Sequence, residues 1–258
     1  MKCWAFTFAI TAALTLLPVA AFGDDVSDGA APAATSPLIG TATLASDYIF
    51  RGLSQTNRKP AVQAGIEYDF PDGLYVGFWG SSISWLSDTS TPAARVSSNV
   101  ELDFYAGYRN KFSEDFGYDV GLYTYYYPGD YPPGYTRANT TEAYAALSWK
   151  IATLKYSYAL TNTFGFAHTK NSGYLDLSAN YEFVPSWVLN AHIGHQRIDG
   201  FDAASYSDYK LGVTKNFDKG LSVALAYCDT DAERAVYTNP SDHFLGRSTA
   251  VLALTKTF

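Results

Sequence analysis

The chain has 258 residues and a formal net charge of −7, with 25 carboxylates against 18 lysines and arginines. That balance, and the lack of any basic block, excludes nucleic acid as a partner. Aromatics reach 16%, including 21 tyrosines; aromatic belts at two membrane interfaces account for such a content better than a soluble sandwich does.

Met1 and Lys2 head an apolar run from Trp4 to Leu17, followed by small residues up to Gly23. The run is too brief to cross a bilayer as a helix, so residues 1–23 are predicted to be a secretory signal, cleaved after Ala21 or Gly23. Cys3 precedes the apolar run and is no lipid-attachment site. Residues 24–37 are Ala, Pro, Ser, Thr and Asp without periodicity, which predicts a flexible periplasmic segment. The folded part is then one domain, residues 38–258. Once the signal is gone Cys228 is the remaining cysteine, so no internal disulfide forms; with no cation beside it, it reads as a small space-filling side chain.

Alternation of period two runs through twelve segments: 39–51, 60–70, 73–83, 98–109, 117–127, 141–149, 152–162, 173–183, 187–198, 205–217, 220–230 and 246–258. Their connections alternate between tight turns, such as Phe70-Pro71-Asp72-Gly73, and longer polar loops, such as 84–97 and 128–140. In the second segment Val62, Ala64, Ile66, Tyr68 and Phe70 share one face, opposite Gln63, Glu67 and Asp69. In the fourth, Val100, Leu102 and Phe104 oppose Glu101, Asp103 and Arg109, and in the eighth Leu175, Leu177 and Phe183 oppose Asp176 and Glu182. The third, with Leu74, Val76 and Phe78 against Tyr75 and Trp79, is ambiguous. The pattern predicts an all-β fold: an antiparallel transmembrane β-barrel of about 12 strands, apolar outward, with periplasmic termini.

Ser46-Asp47-Tyr48-Ile49-Phe50-Arg51-Gly52-Leu53-Ser54-Gln55 and Lys59-Pro60-Ala61-Val62-Gln63-Ala64-Gly65 resemble the TorF-type porin family of proteobacteria. Gly73-Leu74-Tyr75-Val76-Gly77-Phe78-Trp79-Gly80-Ser81, Glu101-Leu102-Asp103-Phe104-Tyr105-Ala106-Gly107-Tyr108 and the closing Thr255-Lys256-Thr257-Phe258 add to the likeness, which is strongest over residues 41–125. The resemblance implies an outer-membrane porin-like protein and names no substrate. The closing strand is similar to the assembly signal of outer-membrane proteins, with Phe258, Leu254, Leu252 and Ala250 on one face, which makes the barrel-assembly machinery an expected partner alongside outer-membrane lipid. It departs from that signal at Lys256, whose side chain is expected to snorkel.

By parity the lumen is predicted to receive Asp47, Glu67, Asp69, Glu101, Asp103, Asp119, Glu142, Asp176, Glu182 and Asp208 against Arg51, Arg109, Lys155 and Lys210. This excess of carboxylates predicts weak cation preference; the same charges equally allow a cross-braced lumen that blocks flow. Asp47 and Arg51, four apart near the outer end of the first segment, form either part of a charged constriction or an ion pair fixing the strand end. Tyr123, Tyr125 and Tyr127, with Tyr105 and Tyr144 on neighbouring strands, offer either a ladder for flat solutes or filler. Tyr131 and Tyr135 either cap the mouth or stiffen their Pro-rich loop. No histidine is followed two residues later by serine, and His192 and His195 have opposite parity, so catalysis is not expected. No metal-ligand spacing or phosphate-cradling loop is present, and no cofactor is expected. The expected function is an outer-membrane channel for small hydrophilic solutes or ions; the other reading is a non-conducting barrel whose loops bind an extracellular partner.

Overall fold

The computed structural model describes residues 37–258; the predicted signal 1–23 and all but the last residue of the predicted 24–37 segment lie outside them. The chain runs through β1 (Leu38–Ala45), a small separate hairpin of β2 (Ile49–Phe50) and β3 (Leu53–Ser54), then β4 (Ala61–Asp69), β5 (Leu74–Ser82), β6 (Val100–Lys111), β7 (Phe116–Tyr126) and β8 (Thr140–Trp149). It continues through β9 (Ala152–Ala159), β10 (Gly173–Val184), β11 (Trp187–Arg197), β12 (Tyr206–Phe217), β13 (Leu221–Thr230) and β14 (Thr249–Thr257). All but β2 and β3 form one closed antiparallel barrel of twelve strands. Closure comes from β1, which pairs on one side with β14, Leu44 opposite Leu254, and on the other with β4, Leu44 opposite Val62. The barrel sheet therefore has no open edge.

Alternation decides which way each side chain points. On β10, Leu175 and Leu177 are 46% and 48% exposed outside the barrel, whereas Asp176 between them is 8% exposed. The third segment follows the same rule: Leu74, Val76 and Phe78 face out while Tyr75 and Trp79 are buried within. Aromatic side chains gather outside at both rims. Phe70, Phe116, Trp149, Tyr181, Trp187 and Phe217 ring one end and Tyr126, Tyr158, Tyr209 and Tyr227 lie toward the other, all exposed. This is the distribution that interfacial belts require.

Short turns at 70–73, 112–115, 150–151, 185–186 and 218–220 occupy the first of these rims, and loops at 46–60, 83–99, 127–139, 160–172, 198–205 and 231–248 the second. The shortest turns use left-handed backbone: Lys150 (φ 52°) at the first turn position, as twist-matched hairpin turns require, and Ser186 (φ 67°) at the second, after Pro185 and next to the register shift between Glu182 and Val184. By antiparallel parity β1 begins and β14 ends at the turn rim. There the Phe258 amide donates to the Gly40 carbonyl at 2.9 Å, and Lys256 reaches the rim, its ammonium bonding the carbonyls of Lys219 and Thr257 and lying 5.1 Å from the Phe258 ring centre. The departure at Lys256 is thus resolved by snorkelling.

The first segment departs from expectation. A strand over 39–51 was expected, but β1 stops at Ala45 and residues 46–60 turn into the barrel. Arg51 (φ 46°) and Gly52 (φ 74°) make the turn. A β-carbon on Gly52 would sit 2.6 Å from Cβ of Asp208 on β12 and 3.0 Å from Cβ of Thr230 on β13, so the tip lies against a far stretch of wall where glycine is required.

Candidate functional site

The lumen is built from the inward residues of the twelve strands and from the segment 46–60. Glycines on one strand make room for tyrosines on the next. Gly77 on β5 lies opposite Tyr105 on β6, Gly107 on β6 opposite Tyr75 on β5, and Gly121 on β7 opposite Tyr144 on β8. A β-carbon at any of the three would overlap the facing ring. The tyrosines therefore lie flat across the wall, and Tyr105 stacks on Tyr123 with ring centres 5.4 Å apart.

Toward the turn rim Arg109 bonds Glu67 at 2.5 Å and also Asp69, while its guanidinium lies 4.2 Å from the Tyr75 ring centre. The Tyr75 hydroxyl donates to Asp119 at 2.6 Å and meets the Tyr144 hydroxyl, over whose ring Lys155 places its ammonium at 4.3 Å. Six predicted lumen residues thus join one network on the β4–β9 wall: Glu67, Asp69, Arg109, Asp119, Tyr144 and Lys155. Glu182 has inward parity but is exposed at the rim, where it accepts the Ser186 amide at 2.7 Å and caps the β10–β11 turn.

Toward the loop rim the segment 46–60 fills the barrel. Asp47 and Arg51 do not pair. Asp47 accepts hydroxyl hydrogen bonds from Ser54 at 2.7 Å and Thr56 at 2.9 Å, which hold the base of the hairpin. Burial pushes its carboxyl above the usual range, opposed by those hydroxyls and by Arg58. Arg51 instead crosses the lumen. It makes a bidentate contact with Glu142 on β8, 3.0 and 2.8 Å, and a third bond to the Gln196 amide oxygen on β11 at 2.8 Å. Its guanidinium is 4.1 Å from the Tyr174 ring centre and 4.8 Å from that of Phe50. Arg51 and Glu142 are 3% and 2% exposed, so the bolt is shut off from solvent.

Either side of this bolt lie two further groups. On the β10–β12 wall His192 sits between Asp176 (2.6 Å to Nδ1) and Asp208 (2.7 Å to Nε2), the Tyr174 hydroxyl donates to Asp208 at 2.9 Å, and Lys210 is the register partner of His192. Opposite, on β6, Glu101 and Asp103 are enclosed by tyrosines: Tyr48 donates to Glu101 at 3.4 Å and Tyr123 to Asp103 at 2.8 Å. Tyr125 and Tyr127 are buried beside them, so the tyrosine ladder is packed wall rather than a free stacking surface here. Tyr131 stiffens its loop by donating to the Tyr127 carbonyl at 2.9 Å. Cys228 is buried against Ile49 and Val251 as a small space-filling residue.

Sequence reasoning missed His192, Gln196, Tyr48, Tyr75 and Tyr174. The first two share the inward parity of β11 with Asn190, opposite Leu189 and Ile193, so the alternation already marked them. Tyr48 had no such signal.

Among solved structures the chain is similar to a KdgM porin (TM-score 0.52, 8% identity, covering 86% of this chain and 97% of that one) and to a NanC porin (TM-score 0.53, 11% identity, covering 86% and 98%). A second structure of the former, described as in complex with disordered oligogalacturonate, matches with a TM-score of 0.51 at 8% identity, over 86% of this chain and 97% of that one. At such identities the likeness is one of fold. None of the curated proteins matches the sequence. The model of the family described as "Bacterial protein of unknown function (Gcw_chp)" matches residues 29–258, and the chain belongs to that family.

Proposed function

We propose that the chain is a porin-like channel of the bacterial outer membrane, of the TorF type, secreted by its N-terminal signal and assembled through the strand ending at Phe258. Both ends of the barrel then face the periplasm, and the long loops face outward. One observation carries this reading: apolar side chains cover the outside of a closed barrel while ionisable ones line its inside, the reverse of a soluble barrel. The solutes are small and hydrophilic. Carboxylates exceed bases along the lumen, so cations are weakly preferred, less so as salt screens the field.

Vesicles containing the purified protein are expected to swell faster than empty ones in small hydrophilic solutes. Equal rates contradict the channel. The lipid-facing half is tested separately by Leu225→Arg, at a residue 55% exposed midway along β13. An arginine at the bilayer midplane costs about 2–4 kcal/mol, so the variant is expected to unfold at lower urea in lipid. An unchanged midpoint contradicts the placement of that face.

A second reading has its own support. Glu101, Asp103, Glu142 and Asp208 are each 2% exposed or less, so the loop half of the lumen is filled. A barrel permanently filled in this way is a structural or surface-binding protein. The two readings part at the Arg51 bolt, whose removal opens a channel and leaves a filled barrel closed.

A further inference from the structure

We propose that Glu101 and Asp103 form a binding site for a small monovalent cation beneath the segment 46–60. The site adds to the channel reading without resting on it.

Both side chains point inward from β6 and both residues are 1% exposed. One oxygen of each carboxylate is held by tyrosine: Oε1 of Glu101 by Tyr48, Oδ2 of Asp103 by Tyr123. The other oxygens, Oε2 of Glu101 and Oδ1 of Asp103, are buried and meet no hydrogen-bond donor among the described residues. Neither carboxylate pairs with a base there: Arg51 is taken by Glu142, and Arg109 by Glu67 and Asp69. Two adjacent carboxylates held away from water, each with an unsatisfied oxygen, call for a positive charge between them.

The surroundings suit a cation. In register, Asp103 lies between Trp79 on β5 and Tyr125 on β7, and Glu101 lies beside Ser81. Tyr48 closes the group from the lumen side, edge-on to Trp79 at 5.5 Å between ring centres. Ring faces attract cations. The pair stands alone: no group of three or more His, Cys, Asp or Glu side chains placed to hold a metal ion occurs among the described residues, so a carboxylate cage of the calcium type is absent there. Enclosure by Tyr48 and the wall selects an ion that sheds its water, such as potassium or sodium, over a bulky organic cation.

The test is heat unfolding of the full-length barrel in detergent, read by gel mobility, in potassium chloride and in N-methylglucamine chloride of equal ionic strength. A ligand that binds only the folded state raises its midpoint, here by about 5 °C at saturating potassium. Glu101→Gln with Asp103→Asn keeps acceptors for the tyrosines and is expected to erase the difference. Equal wild-type midpoints in the two salts overturn the site. A difference that persists in the double variant also overturns it. Should that variant not fold, thallium-205 resonance of the wild type decides: a bound ion displaced by potassium supports the site, and its absence refutes it. Conductance is recorded separately, so a silent barrel with a potassium-dependent midpoint would refute the channel and retain the site.

Discussion

Single-channel conductance is expected to rise when Arg51→Ala and Glu142→Ala are combined, with steps larger than the wild type's and the cation preference unchanged, because one charge of each sign is removed. Arg51 spans from the segment after β1 to β8 and β11, strands on the far side of the barrel. Arg51→Ala alone is a different case. It strands the Glu142 carboxylate, 2% exposed, without its partner. Breaking a buried pair from one side costs about 3–5 kcal/mol, whereas removing both partners is often close to neutral. The single variant should therefore unfold at lower urea than the double variant. Double variants that conduct no more than wild type would show that the 46–60 segment is held by its other contacts and that the bolt is not the constriction.

Gly77→Val is expected to prevent assembly. The new side chain would enter the ring of Tyr105, and that ring cannot retreat because it stacks on Tyr123. Overpacking typically costs about 1–3 kcal/mol, occasionally more; here the clash begins at Cβ, beside the backbone, so the upper end applies. Heat-modifiable mobility on gels reports the folded barrel, and it should be lost. Adding Tyr105→Ala vacates the space and should restore part of it. A Gly77→Val barrel as heat-stable as wild type would mean that the tyrosines are loosely held and that the wall is not set by glycine–tyrosine pairs.

Most of the barrel was legible because the side-chain period of a strand is two and a membrane reverses which face is apolar. Val62, Ile66, Leu175 and Leu177 marked one face of each strand without any tertiary information, the predicted signal, the loop asymmetry and Phe258 turned that face outward, and Glu101, Asp103 and Asp176 followed by parity. The first strand was overextended for a physical reason. Tyr48, Ile49 and Phe50 carry strand-like residues straight past Ala45, while what turns the chain is contact with Asp208 and Thr230, more than 150 residues away in sequence. Asp47 and Arg51 were therefore read as neighbours on one strand face, although the hairpin sends Arg51 across to Glu142 and keeps Asp47 at its base. Partner choice in the lumen depends on which strands face one another across it, and local spacing does not encode that. The tyrosines illustrate the same limit: their inward parity was visible, but the glycines that seat them lie on the adjacent strand.

The reversal potential of wild-type protein in a planar bilayer under a potassium chloride gradient tests the central claim most directly. Discrete steps whose reversal lies on the cation side, moving toward zero at high salt, are the predicted result. Steps that reverse on the anion side, or a membrane that stays silent with wild type and with the Arg51→Ala, Glu142→Ala barrel alike, would contradict it.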